Sequence, residues 1–120
     1  MARILVIDDD EVMRMFAVEC LRTDGHQVLT AENGEQGLAL AEMEKPDLVV
    51  TDVMMPGMFG FGVVNALRAN PAFAATRIIV SSLNFHGDIQ SAKSVGADRF
   101  LPKPYSPEAL IKMVAELLGS

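Results

Sequence analysis

Short hydrophobic runs alternate with amphipathic segments along the whole chain, and each kind of segment recurs five times. Runs of this length, apolar at nearly every position, are typical of parallel strands that are buried on both faces. The predicted strands span residues 3–8, 27–31, 47–52, 77–82 and 98–101. This alternation predicts a doubly wound α/β domain over residues 1–120, with five parallel strands and five helices.

Local signals place the ends of the predicted helices. Asn33 is an N-cap candidate, with Gln36 three residues later as the second half of a capping box. Ser106 and Pro107 have the residue types that open a helix, and the last helix has the clearest apolar stripe. Residues 86–95 predict a weaker fourth helix that is rich in serine and poor in large apolar residues. We expect this helix to be the most mobile element, because it buries little surface.

Polar residues lie at or near the ends of four of the five predicted strands. Asp8 and Asp9 follow the first, Asp52 ends the third, Ser81 lies at the end of the fourth, and Lys103 follows the fifth. In open parallel sheets the carboxyl ends of the strands meet at one edge, where ligands bind. The sequence therefore predicts that three acids, a hydroxyl and a lysine lie close together.

This set of residues is suited to a divalent cation and a phosphoryl group. Asp8, Asp9 and Asp52 form the natural metal set, since Mg²⁺ prefers carboxylate oxygens, waters and phosphate oxygens. Without a cation, three clustered carboxylates would repel one another. Lys103 lies between two prolines that restrict its backbone, and the Lys103–Pro104 bond is a candidate cis peptide. Its ammonium could neutralise phosphoryl oxygens, and the Ser81 hydroxyl could donate to them.

Composition and charge narrow the classes of partner. A net charge of −6 argues against a nucleic-acid surface, which needs a basic patch. No apolar stretch approaches the ~20 residues of a membrane span, and we expect no signal peptide because the chain enters a strand at once. Cys20 is the only cysteine and fits the core, so we expect a reducing, cytoplasmic location.

From end to end the chain resembles a response-regulator receiver domain, the CheY-like module of two-component signalling. The resemblance rests on these segments: Ile4-Leu5-Val6-Ile7-Asp8-Asp9-Asp10, Asp47-Leu48-Val49-Val50-Thr51-Asp52, Met55-Pro56-Gly57-Met58, Gly96-Ala97-Asp98 and Lys103-Pro104. It implies a flavodoxin-like sheet with strand order 2-1-3-4-5. It also implies signalling rather than enzymatic turnover of a separate substrate.

The resemblance assigns a role to each site residue. Asp52 would accept a phosphoryl group from a histidine kinase or a phosphotransfer protein. Mg²⁺, with Mn²⁺ as a substitute, would be held by Asp8, Asp9, Asp52 and the backbone carbonyl of Met54. Lys103 and Ser81 would contact the phosphoryl group.

The resemblance also implies an output switch and a control on dephosphorylation. Ser81 and the aromatic Phe100 would be the switch residues, and a downstream protein would bind the face formed by the predicted fourth helix, fifth strand and fifth helix. Met54 and Leu83 occupy the positions two residues beyond Asp52 and Ser81. Both side chains are bulky and apolar, so we expect them to exclude water and prolong the phosphorylated state.

Three alternatives share part of this pattern. A flavin or dinucleotide binder needs a glycine-rich turn after the first strand, where this chain has Asp8-Asp9-Asp10. A haloacid-dehalogenase-type phosphatase takes its nucleophile from the first strand. A degenerate receiver would bind partners without being phosphorylated, against which the complete site set argues. The residues are compatible both with a single-domain regulator and with one domain of a longer protein.

Overall fold

The computed structural model describes residues 2–52, 54–55, 58–59, 62–83 and 96–119, apart from the side chains of residues 54, 55, 58, 59 and 83. Its main sheet has five parallel strands: β1 (Arg3–Ile7), β2 (Gln27–Ala31), β3 (Leu48–Thr51), β6 (Arg77–Leu83) and β7 (Arg99–Lys103). The strand order is β2-β1-β3-β6-β7. Since β6 and β7 are the fourth and fifth strands of this sheet in chain order, this is the predicted 2-1-3-4-5 order. The predicted fold class is therefore confirmed.

Helices cover both faces of the sheet. In the described residues these are α1 (Glu11–Thr23), α2 (Gly34–Glu44), α3 (Gly62–Ala69) and α4 (Pro107–Gly119), with a short 3-10 turn at Pro71–Phe73. The fourth helix predicted over residues 86–95 lies outside the described residues.

The sheet has a hydrophobic cluster on each face, and alternate side chains of its strands belong to one cluster or the other. Val6, Val50, Ile79 and Leu101 belong to the cluster beneath α1 and α4, whereas Val80 belongs to the cluster beneath α2 and α3. Successive strand residues point to opposite faces, so each strand contributes to both clusters. Double-sided burial explains why the strands are apolar at nearly every position, and Cys20 lies in the first cluster as predicted.

A close approach between α2 and β1 requires glycine. A Cβ atom at Gly37 would lie 2.7 Å from Cγ1 of Ile7, closer than such atoms can approach. Ile7 directly precedes Asp8, so this contact lets α2 pack tightly beside the strand that carries the first acid.

Two features of the strands differ from the sequence-based expectation. Besides the five predicted strands, a short antiparallel pair joins β4 (Met54–Met55) and β5 (Met58–Phe59). β7 continues through Pro102 to Lys103 instead of ending at Leu101. A proline is tolerated there because β7 is the edge strand and needs no hydrogen bond on its outer side.

The predicted helix caps are present, with one change of partner. The Asn33 side chain accepts from the Gln36 N–H at 2.8 Å, and Ser106 Oγ accepts from the Ala109 N–H at 3.1 Å. The Gln36 side chain accepts from the N–H of Glu32, one residue before the cap, at 2.6 Å. The predicted capping box is therefore shifted by one residue.

Candidate functional site

The polar residues at the strand ends share one face of the sheet. β1 and β3 pair with Val6 opposite Val50, and β6 and β7 pair with Ser81 opposite Leu101. Asp8 and Asp52 each lie two residues beyond the valines, so alternation points them to the same side. Lys103 lies two residues beyond Leu101 and follows the same rule. The sheet thus directs its site residues toward the side covered by α1 and α4.

Lys103 joins two of the three acids. Its Nζ donates to Asp8 Oδ2 at 2.6 Å and to Asp52 Oδ2 at 2.8 Å. The three side chains are only 7, 8 and 10% exposed for Lys103, Asp8 and Asp52 respectively, so the ion pairs are buried. The peptide bond that follows Lys103 is cis, as the sequence suggested.

Burial and the ion pairs have opposing effects on the protonation of this cluster. Burial raises the pKa of Asp8 above the usual carboxyl value, and the hydrogen bond from Lys103 offsets only part of that rise. For Lys103, burial alone would lower the pKa, but the hydrogen bonds to Asp52 and Asp8 outweigh it and the pKa is raised. Lys103 is therefore firmly cationic at neutral pH.

The first strand-to-helix connection holds Asp8 at several atoms. Its Oδ1 accepts from the Asp10 N–H at 2.9 Å, and its backbone carbonyl accepts from Arg14 Nη1 at 2.8 Å. Asp10 is the N-cap of α1 and accepts from the N–H groups of Val12 and Met13. Asp10 therefore acts as a helix cap, whereas Asp8 and Asp9 belong to the group that could hold a metal ion.

Asp8, Asp9 and Asp52 could together hold a metal ion. One carboxylate oxygen from each lies within 4.8 Å of the others, and Asp9 is exposed to solvent. Three hard oxygen donors with one side open to water suit Mg²⁺, which keeps several waters when it binds proteins. The donor set thus fits the cation that the sequence predicted.

Two serine hydroxyls are buried beside this edge. Ser81 Oγ and Ser82 Oγ have no hydrogen-bond partner in the described part of the chain. Buried hydroxyls are normally paired, so Ser81 has donor capacity left for a ligand at the acids. Phe100 lies opposite Val80 and packs against the cluster of the other face. Ser82 shares that face by alternation, so the two serines point to different sides of β6.

Sequence reasoning missed Arg14. Its guanidinium is half-buried and bonds to the Asp8 carbonyl, although nothing in the hydrophobic pattern distinguishes it from a surface residue. The available signal is its position: a cation in the first turns of a helix opposes the helix dipole and therefore calls for a specific partner.

The comparisons with known proteins agree with this architecture. The model of the response regulator receiver domain family matches residues 4–115. Protein PilH of Pseudomonas aeruginosa is 40% identical over 120 residues, with 99% of each chain covered. A probable transcriptional regulator, ycf27 of Cyanophora paradoxa, is 36% identical, but the chain spans only 48% of its length. The chemotaxis response regulator CheY4 of Vibrio cholerae superposes with a TM-score of 0.92 at 34% identity, covering 98% of this chain and 99% of that one.

The chain therefore belongs to the response regulator receiver family. Receiver domains of this family are generally non-enzymatic signalling modules, and they generally bind Mg²⁺ at an acidic pocket. They interact with histidine kinases and with downstream output partners. None of the helices in the described ranges is long and apolar enough to cross a membrane.

Proposed function

We propose that this receiver is switched by transfer of a phosphoryl group to Asp52 from a phosphohistidine on a histidine kinase or phosphotransfer protein. The observation that carries the proposal is the position of Lys103, whose ammonium bridges Asp8 and Asp52 in a buried site beside Asp9. Phosphoryl transfer depends mainly on positioning and charge neutralisation, and this arrangement supplies both.

Each residue has a distinct part in the reaction. An Asp52 carboxylate oxygen forms a bond to phosphorus while the bond from phosphorus to the donor imidazole nitrogen breaks. The imidazole keeps that electron pair and takes a proton from water, leaving an acyl phosphate on Asp52. Lys103 and Ser81 then contact the phosphoryl oxygens. Asp8, Asp9, Asp52 and the Met54 carbonyl would hold Mg²⁺, which would supply positive charge for the phosphoryl oxygens.

The output follows from the new charge at the site. A phosphoryl group carries about two negative charges and has strong acceptor oxygens, so it can draw a neighbouring hydroxyl into a hydrogen bond. We infer that Ser81 moves toward the phosphoryl group and that Phe100 changes rotamer. The face formed by β7, α4 and residues 86–95 then changes shape, and a downstream protein binds it.

Beryllofluoride, a mimic of the bound phosphoryl group, tests this switch. With Mg²⁺ it should shift the amide resonances of Ser81, Phe100 and residues 84–86, and leave those of Phe16 and Leu21 near their original positions. A chelator should reverse the shifts. Shifts confined to the acids at the sheet edge would contradict the switch, and no response at all would contradict phosphoryl binding at this site.

The phosphorylated state is expected to be long-lived. The positions two beyond Asp52 and Ser81 carry Met54 and Leu83, whose side chains lie outside the described part of the structure. Neither side chain can orient water, so in the double variant Met54→Asn with Leu83→Glu each new polar group should speed loss of phosphate about tenfold, which corresponds to about 1.4 kcal/mol of barrier. Phosphate release after donor removal measures this. A wild-type half-life of seconds, or a double variant no faster than wild type, would refute shielding.

A further inference from the structure

Arg14 makes an unusual contact for a cation beside an acidic cluster. Its Nη1 donates to the backbone carbonyl of Asp8 at 2.8 Å, and no ion pair with a carboxylate is found for it among the described residues. A guanidinium bound to a neutral carbonyl forms a charge-assisted hydrogen bond with a fixed direction. This contact therefore fixes the position of the main chain rather than neutralising a side chain.

The bond closes a loop between β1 and α1. The Asp8 N–H donates to the Ala31 carbonyl at 3.1 Å, its Oδ1 accepts from the Asp10 N–H, and its carbonyl accepts from Arg14. Main chain and carboxylate of Asp8 are thus both held, and only Oδ2 is left to Lys103. The peptide that joins Asp8 to Asp9 carries the carbonyl that Arg14 holds, so its orientation also sets the direction in which Asp9 leaves the strand.

The contacts of Lys103 and Arg14 differ in what a bound cation would do to them. Lys103 contacts two carboxylate oxygens, the same atom type that a metal would use. Arg14 contacts a backbone carbonyl that is not one of those carboxylate oxygens, so its bond can persist when a cation binds. Groups that orient metal ligands in this way typically change metal affinity by an order of magnitude or more.

We propose that Arg14 is a positioning residue of the acidic site, which orients Asp8 and Asp9 for Mg²⁺ through the Asp8 carbonyl. This inference rests on the proposed Mg²⁺ site. It makes a prediction opposite to that of simple electrostatics. Removing a nearby positive charge should strengthen binding of a cation, whereas losing the positioning bond should weaken it.

Arg14→Met keeps most of the aliphatic stem and removes the guanidinium. We expect Mg²⁺ to bind about tenfold more weakly to this variant in isothermal titration calorimetry. Arg22→Met is the matched control, since it removes the same charge from an exposed position in the last turn of α1. The control should bind Mg²⁺ with the affinity of the wild type.

A second measurement reports positioning without metal. The Asp10 N–H is protected by Asp8 Oδ1, so its hydrogen exchange in the chelator-treated protein should be faster in Arg14→Met than in Arg22→Met. Should Arg14→Met not fold, Arg14→Lys keeps the charge without the fork and should show the same two changes to a smaller degree.

The outcomes separate this inference from the proposed function. If the wild type fails to bind Mg²⁺, the proposed function fails, and unchanged exchange at Asp10 would then overturn the positioning role as well. If the wild type binds Mg²⁺ but Arg14→Met binds it equally or more tightly, positioning by Arg14 is wrong while the proposed function stands. Weaker binding with faster Asp10 exchange supports both.

Discussion

Lys103→Met is expected to destabilise the metal-free protein by about 3 kcal/mol near neutral pH, a typical cost of leaving buried charge unpaired. The substitution keeps the length of the side chain and removes the ammonium that bridges Asp8 and Asp52. Both carboxylates are at most 10% exposed, so water can compensate only in part. Urea unfolding, monitored by circular dichroism, measures the difference.

The pH dependence of this effect has a defined sign. The raised pKa of Lys103 means that its contribution is fully present at neutral pH and is lost only at alkaline pH, above the usual lysine value. The pKa of Asp8, already raised by burial, should rise further in the variant. The stability of the variant relative to wild type should therefore recover as the pH falls, because protonation of Asp8 removes the unpaired buried charge.

Mg²⁺ should restore part of the stability that Lys103→Met loses, because a bound cation replaces the missing positive charge. Lys112→Met, which removes an exposed lysine on α4, is the control and should stay within about 0.5 kcal/mol of wild type. A Lys103→Met protein as stable as this control would contradict a buried ion-pair cluster.

The sequence was sufficient for the fold because one signal was repeated. Four of the five hydrophobic runs have a polar site residue at the same edge, and double-sided burial leaves apolar runs that are hard to mistake for surface strands. The same signal located Asp8, Asp52 and Ser81, since parallel pairing places strand ends side by side. Their grouping in the structure follows from the register and needs no side-chain detail.

Other features depend on side-chain geometry that no pattern contains. The Lys103 ammonium meets Asp8 across 95 residues of sequence, and the distance depends on how far β7 extends past Pro102. The Arg14 contact depends on the path of the chain between β1 and α1. The shifted cap at Glu32 and the short pairing of β4 with β5 depend on backbone angles within single turns.

Transfer of one phosphoryl group to Asp52, and to no other acid, is the second large effect that we expect. Acetyl phosphate with Mg²⁺ should add one group to the wild-type chain, and a chelator should prevent it. Asp52→Ala should not react, because it lacks the carboxylate nucleophile. Glu19→Ala, which removes an exposed acid on α1, should react like wild type and controls for the loss of one negative charge.

Peptide mass spectrometry, after reductive trapping of the acyl phosphate, locates the phosphoryl group on the chain. We expect a modified Asp52 in the wild type and in Glu19→Ala, and an unmodified chain in Asp52→Ala and in the presence of chelator. Modification at another residue, or labelling of Asp52→Ala equal to that of wild type, would contradict phosphoryl transfer to Asp52.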